Sequence, residues 1–206
     1  MSREFHASAA HPGGLPHGLV DVSVTCPDVF VDLAYCRPDN VFGRALYRCN
    51  RALLLGATAA KLSAAAVDAR AHGYALLVLD AYRPLGIQRL MWDLLPDDDF
   101  VAPPSRGSLH NRGAAVDVTL ATPDGTALQM PSDYDEFSPR ASHRYTDAPP
   151  ELCGRRARLL AIMEGAGFAS YHAEWWHYTD REHTDRALLD VDPCEATHES
   201  RKVHRS

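Results

Sequence analysis

The sequence has no uninterrupted apolar run of about 18 residues, so no segment is suited to crossing a bilayer as a helix. Positive charge is in short supply. Lys plus Arg number 21 against 27 Asp plus Glu, a net charge of −6, which excludes a basic nucleic-acid footprint over the whole molecule. There is no C-x-x-C pair, so neither a zinc ribbon nor a thioredoxin-type motif is supported, and no H-E-x-x-H, so the common helical zinc-protease motif is absent. Internal repeats and low-complexity tracts are also missing. The five cysteines are odd in number and irregularly spaced, and are expected to be free thiols without a role in a reducing cytosol. At the N-terminus, Glu4, His6 and His11 fall where a secretory signal needs a basic start and an apolar stretch, so a leaderless cytoplasmic protein is expected.

Apolar residues make up 46% of 206 residues, enough to bury one domain's core. Residues 1–18, rich in His, Gly and Pro, are expected to form a flexible arm, 19–193 a single domain, and 194–206 a polar tail. Val29 to Leu33 alternates as a short strand. The Ala-rich stretch from Arg51 to His72, closed by Gly73, reads as a helix with Leu53, Ala60, Ala64, Val67 and Ala71 on its more apolar side. Tyr74 to Asp80 is a continuously apolar strand. Leu85 to Leu95, between Pro84 and Pro96, reads as a helix. Gly113 to Leu120 is a strand, residues 128–148 an irregular segment, Arg155 to Glu164 a helix, and Glu174 to Thr179 an aromatic strand. Regular βαβ repetition is absent. The expected fold class is therefore α+β, helices packed on a small, largely antiparallel sheet.

Eleven histidines point toward metal or acid–base chemistry. In the run from Ser108 to Leu120, strand alternation puts Val116, Val118 and Leu120 on a core face and Ala115, Asp117 and Thr119 on the other. A carboxylate on a half-buried strand is costly unless paired or bound to a cation. His110 precedes the turn at Asn111-Arg112-Gly113, so its ring can fold back beside Asp117. In Glu174-Trp175-Trp176-His177-Tyr178, an ideal strand would put Trp175 and His177 on one face and Glu174 on the other. Serving one site requires Glu174 to sit in the entering turn, or a bulge. His110, Asp117 and His177 would make three ligands, the number that leaves a catalytic zinc its open position. Glu174 would be the proton carrier, and Arg83, just past a buried strand, the candidate for stabilising an oxyanion. Each signal alone has a plainer reading. A His and an Asp seven residues apart occur often by chance, Glu-Trp-Trp-His can be an ordinary buried strand, and Arg83 can be an ion-pair partner.

Together, S-L-H-N-R-G-A-A-V-D-V-T-L, D-A-Y-R-P and E-W-W-H-Y resemble the VanX-type D-alanyl-D-alanine dipeptidases, zinc peptidases related to D-Ala-D-Ala carboxypeptidases and sharing a hedgehog-like scaffold. The likeness runs from about Val20 to about Asp180. It implies one zinc ion per chain on His110, Asp117 and His177, the acid–base at Glu174, the transition-state arginine at Arg83, and substrate ammonium binding by Ser108 and Asp135. Two departures stand near the pocket, Pro131 where the family often has Gly and Tyr134 where it has Phe. The implied partner is a small D,D-dipeptide, with no nucleic acid or membrane and a homodimer left open. Three alternatives stay open on sequence alone. They are a carboxypeptidase or endopeptidase acting on peptidoglycan stems, a non-catalytic zinc module, and a structural zinc domain with His172 or His143 as fourth ligand.

Overall fold

The computed structural model describes residues 15–98 and 100–196. Two sheets form. In the smaller, β1 (Leu19–Asp21) pairs antiparallel with β3 (Leu53–Leu55). The larger has five strands in the order β2 (Val29–Val31), β4 (Ala75–Asp80), β5 (Ala115–Ala121), β7 (Glu174–Thr179) and β6 (Ala169–Tyr171). The β2–β4 pair is parallel and the other three are antiparallel, in keeping with the expected α+β class.

Helices α2 (Gly56–Ala71) and α4 (Pro150–Gly165) cover one face of the large sheet, with the short α1 (Val22–Thr25) beside them. Val116, Val118 and Leu120 of β5 and Leu76 and Val78 of β4 pack there against Leu62 and Ile162. Each such fully buried side chain contributes about 1.5–3 kcal/mol. The chain runs through α3 (Leu85–Leu94) on its way from β4 to β5. Helix α2 starts later than expected because Leu53 to Leu55 is spent on a strand. Its buried side is Thr58, Ala59, Leu62, Ala65, Ala66 and Ala69, while Val67 is 62% exposed. With alanine at half of its positions, the two sides differ little in hydropathy, and Leu62 lies on the one that faces the core. Helix α4 begins before the expected Arg155, with Pro150 in its first turn, where a fixed φ and a missing N–H cost nothing.

The boundaries at both ends also shift. Leu15 is only 2% exposed and packs with Leu19, Leu53 and Tyr82, so the packed chain includes part of the expected arm. Residues 1–14 lie outside the described residues. After β7 the chain returns as a strap. Leu189 donates from its N–H to Asn111 O (2.8 Å) and accepts from Leu85 N (3.0 Å), and Val191 N donates to Tyr82 Oη (2.8 Å). The strap ends in a disulfide between Cys49 and Cys194, 145 residues apart in sequence. That corrects the expectation that no cysteine has a role, and residue 194 is anchored rather than the start of a loose tail. It also removes the thiol-based argument for a reducing cytosol, because disulfides persist mainly in oxidising compartments. Breaking this cross-link should lower stability by about 2–4 kcal/mol. Denaturant unfolding of the Cys49→Ser/Cys194→Ser protein against the oxidised chain measures it, and equal midpoints would mean the cross-link contributes nothing. Among the described residues, no helix is long and apolar enough to cross a membrane.

Candidate active site

Two local irregularities aim the site's side chains. In the β4–β5 pairing the register slips between Val78 and Asp80, so Asp80 rather than Leu79 stands opposite Asp117. A one-residue slip turns a strand's side chains to the other face, and here it delivers a second carboxylate to the site side. Gly113 closes the His110–Arg112 turn at φ +67°. A Cβ there would meet Leu19 Cδ2 at 2.9 Å and Leu55 N at 3.2 Å, so only glycine gives both the left-handed turn and the close approach that bring His110 back over β5.

Asp117 and His177 are direct cross-strand partners on β5 and β7. His110 Nε2, Asp117 Oδ1 and His177 Nδ1 form a triangle with sides of 3.3, 2.9 and 3.2 Å. His110 Nδ1 lies 2.7 Å from Ala81 O, a pure acceptor, so Nδ1 carries the proton and the neutral ring turns the Nε2 lone pair to the triangle. His177 Nδ1 has at most one proton to share between that lone pair and the carboxylate. The donor set therefore has more acceptors than protons, and a cation answers it. Tetrahedral ligation at about 2.0–2.2 Å sets ligand atoms about 3.3–3.6 Å apart, close to the sides observed. Burial opposes a charged His110, but Asp117 overrides it and raises the imidazole's pKa. Burial likewise opposes the Asp117 carboxylate, and His110 and His177 hold it well below the usual range. Neither His172 nor His143 joins the group among the described residues. A second cluster, Asp180, Glu182 and His183, already surrounds a cation. Lys61 Nζ sits 2.7 Å from Asp180 and 3.2 Å from Glu182.

Arg83 follows β4 and is buried. Its Nη2 and Nε donate to Asp80 Oδ2 (2.6 and 3.2 Å) and its Nη1 to Gln88 Oε1 (3.0 Å), while Tyr47 Oη donates to Asp80 Oδ1 (2.6 Å). The guanidinium carbon stands 5.4 Å from the Tyr35 ring centroid. Three of five N–H donors are thus engaged, and others remain. Asn111 ties the two loops together, accepting from Ser108 N (2.7 Å) and donating to Arg83 O (2.8 Å). Ser108 Oγ accepts from His110 N (3.2 Å).

Glu174 opens β7 directly after a turn at residues 172–173, and the β6–β7 register slips between Ser170 and Tyr171. The two ways of placing it beside His177, an entering turn and a bulge, therefore occur together. The same slip breaks the simple alternation, so Trp176 rather than Trp175 lines the cavity. Trp175 instead donates to Ser132 Oγ (2.9 Å). Burial raises the Glu174 pKa to about 7, with Asp117 and Asp135 adding to it and His177 and Arg83 opposing. Asp135 is also raised to about 7, by burial first and then by Asp117, although Tyr35 Oη donates to its Oδ2 at 2.9 Å. Its φ of 56° is uncommon for a residue with a side chain, the kind of strain often found at functional sites.

Arg83, Ser108, His110, Asp117, Asp135, Glu174 and His177 all line one cavity of about 230 Å³. Phe42, Met91, Phe100, Phe137 and Trp176 supply apolar wall. At that volume the cavity suits a very small ligand, since pockets for drug-sized molecules run from about 300 Å³ upward. Sequence signals assign no role in the site to Asp80, Gln88, Asn111 or Tyr134. For Asp80 a signal exists, a carboxylate closing an unbroken apolar strand, which demands a partner. Tyr134 is marked only as a departure from the family near the pocket, and Gln88 and Asn111 carry no signal, because their importance lies in contacts between distant loops.

A family model described as Peptidase_M15, D-ala-D-ala dipeptidase, matches residues 16–192. The D-alanyl-D-alanine dipeptidase of Escherichia coli (strain K12) is 37% identical over 160 residues, covering 78% of this chain and 83% of that protein. D-alanyl-D-alanine dipeptidases of Streptomyces coelicolor and Enterococcus faecalis are 34% and 33% identical, covering 73% and 71% of this chain and 85% and 83% of their own lengths.

Proposed function

This chain belongs to the D-ala-D-ala dipeptidase family of M15 peptidases, and on that premise we propose that it hydrolyses D-alanyl-D-alanine and similar short D,D-dipeptides to free amino acids, using one zinc ion held by His110, Asp117 and His177. The observation that carries the reading is the convergence of a three-ligand group with Glu174, Arg83, Ser108 and Asp135 on one small cavity. Two imidazoles and one carboxylate suit zinc better than calcium or magnesium, which prefer all-oxygen shells.

When bound, the ion supplies Lewis acidity toward the water and the scissile carbonyl. The protein's own groups do the rest. A Glu174 carboxylate oxygen takes a proton from the attacking water and delivers it to the leaving amine nitrogen, work for which a pKa raised toward neutrality is suited. Arg83 offers N–H donors to the oxygen that becomes negative as the carbonyl carbon turns tetrahedral. Its anchoring on Asp80 and Gln88 means that it need not reorganise at that moment. Ser108 Oγ and the Asp135 carboxylate hold the substrate ammonium, and the cavity's small volume limits the substrate to short side chains. Phe42, Phe100, Phe137 and Trp176 exclude water, which strengthens each of these interactions.

Turnover of a panel of D,D-, L,D- and L,L-dipeptides, with N-acylated D-Ala-D-Ala as a further substrate, tests the reading. D-Ala-D-Ala should be cleaved fastest. The acylated peptide, which lacks the ammonium that Asp135 binds, should be cleaved poorly. A chelator should abolish activity and added zinc restore it. Chelator-resistant turnover would count against the metal, and equal cleavage of the acylated substrate would reassign the protein to stem-peptide trimming.

A further inference from the structure

Asp117 uses its two carboxylate oxygens differently. Oδ1 is the atom in the ligand triangle, 2.9 Å from His177 Nδ1 and 3.3 Å from His110 Nε2. Oδ2 accepts from Tyr134 Oη at 2.8 Å. The phenol has one proton and two oxygens within reach, Asp117 Oδ2 and, at 3.3 Å, Tyr35 Oη. The carboxylate is both nearer and charged, so it takes the proton. Tyr35 spends its own proton on Asp135. The Tyr134 ring is fixed by packing rather than by the hydrogen bond. It stands edge-on to Trp176 with centroids 5.3 Å apart, and tilted to Tyr35 at 6.2 Å. Tyr134 itself is not among the residues lining the cavity, whereas Tyr35 is.

We propose that Tyr134 is a positioning residue for the metal: by occupying Oδ2 it holds Asp117 as a one-oxygen ligand in a fixed orientation, and it acts on metal affinity rather than on substrate contact. Two neighbouring tyrosines thus divide the labour, Tyr134 serving the metal-ligand carboxylate and Tyr35 the substrate-binding one. A carboxylate free at Oδ2 could rotate or chelate through both oxygens, filling a coordination place that the reaction needs open. The inference rests on the zinc reading above.

The test is Tyr134→Phe, which removes one oxygen and keeps the ring packing, compared with Tyr35→Phe and wild type. Zinc affinity is measured by competition with a chromophoric chelator, and the cobalt-loaded proteins are compared by their visible spectra. Tyr134→Phe should bind zinc about 10–100-fold more weakly. Its cobalt spectrum should change, and its KM for D-Ala-D-Ala at saturating zinc should stay within about twofold of wild type. Tyr35→Phe should show the reverse, unchanged zinc affinity and a raised KM. Equal zinc affinity in Tyr134→Phe and wild type overturns the inference, as does an equal loss in both variants, which would indicate general loosening. If wild type binds no zinc or cobalt, the metal reading itself falls and this role with it, an outcome distinct from either of those.

Discussion

Glu174→Gln should leave one equivalent of zinc bound while kcat falls by about 10²–10⁴-fold, the usual contribution of a positioned general acid–base. Glu174 stands outside the ligand triangle, so its amide changes no ligand, and its place at the head of β7 is set by backbone pairing that the substitution spares. The pH profile gives an independent readout. A base works only when deprotonated, so kcat/KM should rise with pH as Glu174 loses its proton. Burial lifts that proton's pKa from 4.5 to about 7, and a bound divalent cation nearby pulls it back down. The acid limb should therefore have its midpoint between those values in the wild type and vanish in Glu174→Gln. Turnover that survives the substitution, or an acid limb that stays, would remove Glu174 from the proposed chemistry.

Arg83 should give the second large effect, in two separable parts. Arg83→Lys keeps a positive charge near Asp80 but cannot span both Asp80 Oδ2 and Gln88 Oε1 while presenting further donors to the cavity. A loss of about 10²–10³ in kcat is expected, the range for removing one oxyanion donor. Arg83→Ala should cost stability as well. Asp80 is 0% exposed, and stripping a buried carboxylate of its partner costs about 3–5 kcal/mol. Adding Asp80→Ala to Arg83→Ala should restore much of that stability but none of the activity, because the orphaned charge goes while the missing donor stays missing. Near-normal kcat in Arg83→Lys would leave Arg83 as an ion-pair residue only. If the double variant were less stable than Arg83→Ala, the Asp80 interpretation would be wrong.

Much of the fold is legible along the chain because its signals are local. The apolar run before Asp80, the alternation through Val116, Val118 and Leu120, and the prolines bracketing α3 each act over a few residues, and β2, β4, β5, β7 and α3 lie close to their expected places, while the three-residue β1 and β6 are not among the expected elements. The departures also have local causes. The Ala-rich stretch offers too little contrast to show which side of α2 is buried, and Leu53 to Leu55 carries no mark separating a strand from the first turn of a helix. Strict alternation puts Trp175 beside His177, but a register slip intervenes, and a slip leaves no trace in residue identity.

The candidate ligands and the carboxylate that would move the proton are named by residue type, spacing and resemblance. Those features fix which atoms are chemically able to bind a cation or carry a proton, and covalent structure is enough to decide that. Cross-strand pairing and loop closure decide the remainder. The slip at Leu79 turns Asp80 toward Asp117, Tyr134 comes to rest on the far oxygen of Asp117, and Asn111 joins the loops of Ser108 and Arg83. The disulfide that ends the strap joins positions 145 residues apart. Each of these depends on distances between segments remote in sequence. Such distances are set by the packing of the whole sheet and its helices, and no short window of residues encodes them.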